Sequence, residues 1–126
     1  MKVLQVIDNA YRCTIEEQDD PAIWISHAMK GAGADLDVLL SGNAVNYAIS
    51  GQDASGLRFG EVVQTNPPQL DRDIAKLIDK SVNVFVYKED AIDRGIKSAN
   101  LLSGIQQVSR HDAPAIFTKY DQVWHW

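Results

Sequence analysis

Val82-Asn83-Val84-Phe85-Val86-Tyr87 decides the fold. Nearly every side chain in this stretch is β-branched or aromatic, the composition of a strand. The residues before it read as a helix. Leu70, Ile74, Leu77 and Ile78 stand at i, i+4, i+7 and i+8, one apolar stripe, and Pro67-Pro68 opens it. A helix feeding directly into a strand is the unit from which parallel sheets are built.

Working outward toward the amino terminus, the same alternation repeats. Residues 3–7 form a short apolar run, a first strand buried on both faces, ended by Asp8 and Asn9. Residues 9–20 are a polar loop holding Cys13, in which Thr14 and Glu17 have capping-box spacing. Asp20 followed by Pro21 is a helix start, an N-cap with proline at the first helical position. The helix is predicted to run to about Lys30, with Trp24, Ile25, Ala28 and Met29 on one side, and to stop at Gly31 and Gly33. Residues 36–40 are a second strand, and Ser41-Gly42-Asn43 turns the chain into a short helix over 44–50. Gly51, Gly56 and Gly60 break residues 51–66 into a long loop.

Outward toward the carboxyl terminus, Lys88-Glu89-Asp90 leads to Arg94-Gly95-Ile96 and reads as a charged, exposed turn. Residues 104–108 are a weak strand. Ala113, Ile116, Phe117 and Tyr120 give another helical stripe. Its cap is open between Ser109, with capping-box spacing to Asp112, and Asp112 itself, which suits Pro114 better. Residues 122–126 close the chain as a strand. The order β-α-β-α-α-β-β-α-β predicts an α/β protein with a mainly parallel, five-stranded sheet and helices on both faces. Ligands of such sheets bind outside the carboxyl ends of the strands. The loops at 8–20, 41–43 and 87–95 should therefore hold any site.

Composition narrows the function classes. A chain of 126 residues with 45% apolar and 23% charged residues fits a single domain spanning 1–126. The formal charge of −5, with no Lys/Arg block, argues against a nucleic-acid partner. The lone Cys13 excludes a disulfide within the chain and fits a reducing cytoplasm. The apolar run before Asp8 is too short for a signal peptide or a membrane span.

Several segments together resemble the DsrE-like family, which includes DsrE, DsrF, TusD and YchN-type proteins. These are the first strand and its loop, Leu39-Leu40-Ser41-Gly42-Asn43-Ala44-Val45, Val84-Phe85-Val86-Tyr87, Arg94-Gly95-Ile96 and Asp121-Gln122-Val123-Trp124. The resemblance implies a flavodoxin-like three-layer sandwich and a role in intracellular sulfur metabolism. It also implies assembly as a trimer or hexamer, or as a hetero-oligomer with DsrE-like homologues. No cofactor is expected, since the chain has no GxGxxG or Walker motif and flavodoxin-like topology alone does not imply flavin. Active members carry persulfide on a cysteine just after the third strand. That cysteine would fall at Tyr87 or Lys88, and a second one near Asp90; this chain has none of them.

Cys13 is thus the only residue able to carry sulfur. Adjacent Arg12 favours its thiolate, while Glu16, Glu17, Asp19 and Asp20 oppose it. The usual fate of a free cysteine is that of a small buried hydrophobe. Asn43, Tyr87, Lys88 and Arg94, with Arg12, are the candidate binding residues at the sheet edge. No metal site is expected: His27, His111 and His125 lack ligand spacing, and the acidic loop reads as solvated. A receiver-type acid cluster is excluded because only Asp8 is suitably placed, and there is no phosphate-binding glycine motif. Trp124 and Trp126 suit either the core or a subunit contact. Three functions stay open: an accessory or interaction subunit without the usual cysteine, a sulfurtransferase using Cys13, and a flavodoxin-like domain binding a nucleotide or other small molecule.

Overall fold

Neighbouring parallel strands need a crossover between them, and the chain supplies one for every pair. The structure, a computed structural model, describes residues 1–11 and 19–126. Arg12, Cys13 and the Thr14/Glu17 capping box lie outside the described residues. The order is β1 (Lys2–Ile7), α1 (Pro21–Gly31), β2 (Asp35–Leu40), a 3-10 helix (Gly42–Ala48), β3 (Arg58–Phe59), β4 (Val62–Val63), α2 (Leu70–Asp79), β5 (Val84–Tyr87), α3 (Lys88–Asp93), a 3-10 turn (Ser98–Asn100), β6 (Gln106–Val108), α4 (Ala113–Phe117) and β7 (Gln122–His125).

The main sheet has the order β6-β5-β2-β1-β7, and all of its pairings are parallel. The predicted five-stranded, flavodoxin-like sandwich is therefore present. Its strand order moves the topological switch point to the gap between β1 and β7, whereas flavodoxin has it between its first and third strands. There Asp8 N–H donates to the Trp126 carbonyl at 3.0 Å.

Strand alternation sorts the core onto two faces. Val3, Ile7, Val38, Leu40, Val84 and Val86 pack under α1, α2 and the 3-10 helix. On this side Leu70, Ile74 and Leu77 of α2 are buried as the stripe predicted. Each such aliphatic side chain stabilises the fold by roughly 1.5–3 kcal/mol. The opposite face gathers Leu4, Val6, Leu39 and Tyr87 with Ala113, Ile116 and Phe117 around the short α4. Ser109 and Asp112 hydrogen-bond each other before α4, while Asp112 occupies the cap with no side-chain cap bond, so each candidate has part of the role.

Three expectations need correction. The buried face of α1 is Ala22, Ile23 and Ser26; Trp24 is 57% exposed. The physical reason lies in β1, where buried Gln5 demands a polar partner. Gln5 Nε2 donates to Ser26 Oγ at 2.8 Å, so the helix turns its small polar side inward. The 51–66 loop contains a β3–β4 hairpin, whose two-residue strands are too short to leave a periodic signal. The charged segment after β5 is helix α3, and its Asp90 is buried rather than exposed.

Candidate functional site

The carboxyl ends of β1, β2 and β5 meet at one edge because the strands are parallel and in register, Ile7 beside Leu40 and Leu40 beside Val86. Asp8, Ser41-Gly42-Asn43 and the start of α3 leave the sheet there. Ser41 Oγ donates to Asp8 Oδ1 at 3.1 Å. Gly42 has φ +54°, and a Cβ on it would lie 2.5 Å from Asp8 Oδ1. Glycine suits the left-handed backbone there, and any larger residue would push the Asp8 carboxylate away from Ser41.

Asp90 is the centre of the edge. Its carboxylate accepts the Gly42 N–H at 2.7 Å and both oxygens accept Arg110 Nη2, at 2.7 and 2.6 Å. Burial pushes the Asp90 carboxyl up, but the bonds from Arg110 and Gly42, with the charges of Arg110 and Arg94, outweigh it and hold the group below the usual aspartate range. The bond to Asp90 raises the Arg110 guanidinium in turn. That guanidinium also lies 4.4 Å from the Tyr87 ring centre, a cation–π contact. Burial raises the Tyr87 hydroxyl above its ordinary value, so it stays protonated at neutral pH. Arg110 N–H donates to Glu89 Oε2 at 3.0 Å, tying the turn after β6 to α3.

Asn43 and Arg94, both singled out in the sequence, are brought together. Arg94 Nε and Nη2 donate to Asn43 Oδ1 at 3.0 and 2.9 Å, and Nη1 donates to the Asp90 carbonyl at 3.1 Å. Tyr87 is buried beneath Arg110, and Lys88 is exposed with no bonded partner among the described residues. Arg12 and Cys13 fall outside the described residues, so the edge has no sulfur nucleophile among those described. Sequence reading missed Arg110 altogether and took Asp90 for a surface residue. The pair is twenty residues apart, and no short-range motif joins them.

The arrangement is an ionic latch that fixes α3 against the turn after β2 and leaves Lys88, Arg94, Glu89 and Asp93 around it as a charged surface. No cluster of three or more metal-ligating side chains occurs among the described residues. No helix among them is long and apolar enough to cross a membrane.

Two solved structures share this architecture. The YchN protein from E. coli superimposes with a TM-score of 0.74 at 20% identity, over 99% of this chain and 98% of its own. MTH1491, a protein of unknown function from Methanobacterium thermoautotrophicum, gives 0.61 at 13% identity, over 98% and 97%. No family model and no curated protein matches the sequence. Similarity at these identities establishes architecture, and on that footing the chain has the YchN fold, in agreement with the DsrE-like resemblance of its sequence.

Proposed function

We propose that this chain is a DsrE-like protein of intracellular sulfur metabolism that acts as an accessory or interaction subunit. The observation that carries the reading is the junction of β5 and α3, the position to which the resemblance assigns the family's cysteine. Tyr87 and Lys88 stand there, one buried under Arg110 and the other in solvent. Neither side chain forms a persulfide, which needs a thiolate. The latch around Asp90 supports a recognition role, since it presents fixed charges instead of a reactive group. In this reading the chain assembles with copies of itself or with cysteine-bearing homologues, and its charged edge meets the partner.

The test combines association with sulfur loading. A tagged chain is mixed with a cysteine-bearing DsrE-like protein, sedimentation reads the complex, and intact mass after exposure to a persulfide donor reads sulfur on each chain. A stable complex with sulfur on the partner alone is expected. A sulfur adduct on this chain that disappears in Cys13→Ser would make it a carrier instead. A monomer that binds no homologue would remove the accessory role.

A further inference from the structure

A concavity lies away from the latch, between the β3–β4 hairpin and the start of α2. Its volume is about 400 Å³, within the range of small-molecule sites. Tyr11, Leu57, Phe59, Pro67, Pro68 and Leu70 supply its apolar walls. Tyr11, Leu57 and Phe59 are each more than half exposed, an unusual outlay of apolar surface.

The walls are braced. Gln64 N–H donates to the Leu57 carbonyl at 2.8 Å, and Leu57 N–H donates to Gln64 Oε1 at 3.1 Å. A Cβ on Gly56, at φ +84°, would come 2.8 Å from the Gln64 carbonyl oxygen, so the hairpin closes tightly there. At the other end Asp71, buried in the first turn of α2, accepts the N–H groups of Gly51 and Gln52 at 3.0 and 3.2 Å. Gln52 Nε2 donates to the carbonyls of Asn46 and Ile49. Loop 51–66 is thus fastened to two helices.

Charge selects the occupant. Among the described residues, the charged side chains lining the cavity are those of Asp53 and Asp71, and no Lys or Arg lines it. Bonds from Ser55 hold the Asp53 carboxyl below its ordinary pKa, so it is ionised at neutral pH. Aromatic rings attract cations to their faces, and two aromatic residues, Tyr11 and Phe59, line the cavity. We propose that this cavity binds a small organic cation with an apolar body, an aromatic or branched ammonium, its charge toward Asp53 and its body against Phe59 and Tyr11. On this proposal a nucleotide or other anion would meet the Asp53 and Asp71 carboxylates in a chain of net charge −5, which disfavours it. This site is independent of any sulfur chemistry.

Amide chemical shifts would be followed during titration of the intact chain with benzyltrimethylammonium chloride, and separately with phenylacetate. The expected result is saturable shifts at Gln52–Gln64, Leu70 and Asp71 for the cation and none for phenylacetate. Phe59→Ala, at an exposed position, should weaken the cation about ten-fold through lost ring contact. Asp53→Asn keeps an oxygen for Ser55 N–H and should weaken it about two- to five-fold, the scale of an exposed ion pair. Equal binding of phenylacetate, shifts located elsewhere, or affinity unchanged in both variants would overturn the proposal. So would concentration-dependent changes at these same amides without ligand, which would show a second copy covering the cavity.

Discussion

Asp20 joins two elements with one carboxylate. Oδ1 accepts the N–H groups of Ala22 and Ile23, capping α1, while Oδ2 accepts the Tyr47 hydroxyl from the 3-10 helix at 2.6 Å. Removing a cap costs about 1 kcal/mol, and losing a bond to a buried charged group adds a similar amount or more. Asp20→Ala should therefore lower unfolding stability by roughly 2–3 kcal/mol in a urea titration; a loss under half a kcal/mol would mean that the carboxylate caps nothing important. His27 offers a sharper test. Its Nε2 lies 2.8 Å from the Asp73 carbonyl, which only accepts, and its Nδ1 lies 3.1 Å from Lys80 Nζ, which as an ammonium only donates. Of the two tautomers of the neutral ring, these partners select the one with its proton on Nε2. Nitrogen NMR of the neutral ring should show that single tautomer, and a mixture would refute the contact with Lys80. The cap was legible from two adjacent letters, Asp20 and Pro21. The ring contacts were not, because their partners sit forty-six and fifty-three positions away.

Among the elements, α2 and α3 mark the limits of what pattern reveals. Helix α2 has ten residues and a full apolar stripe, so its existence and buried face follow from spacing. Helix α3 has six residues and is held by Asp90 rather than by a stripe, so its composition alone reads as a turn. That dependence predicts a pH effect. The Asp90 pKa is depressed in the folded chain, so in acid the unfolded chain binds that proton more readily. Its contribution is complete above the ordinary aspartate value near 4 and is lost as pH falls through the lower folded value. Arg110→Met removes the main cause of the depression and leaves the buried carboxylate short of a partner. Breaking a fully buried pair costs 3–5 kcal/mol, but the Arg110 side chain is 53% exposed, so about 1–2 kcal/mol is expected at neutral pH. The acid-unfolding midpoint should also move to higher pH, and an unchanged midpoint would separate the latch from stability. The end of α2 carries a strain of its own: Ser81 sits at φ +64°, a left-handed conformation that suits glycine. Ser81→Gly should raise stability by about 0.5–1 kcal/mol, read as a higher thermal midpoint.

At the scale of the whole molecule, the two faces of the sheet are unequally covered. One carries α1, α2 and the 3-10 helix, and the other carries mainly the five-residue α4. The outer strands are also weak: β6 has three residues, with Gln106 and Gln107 exposed, and β7 leaves Val123 44% exposed. β1 and β2 are instead paired on both sides and almost wholly buried. Local opening follows such differences in burial, since an edge strand detaches without disrupting the core while a central one cannot. Hydrogen exchange should therefore find its slowest amides in β1 and β2, opening only with global unfolding. Amides of β6 should exchange by a local route that is insensitive to dilute denaturant. Slow exchange in β7 equal to that of β1 would contradict a free edge. Its dependence on protein concentration would then show whether a second chain pairs with the strand.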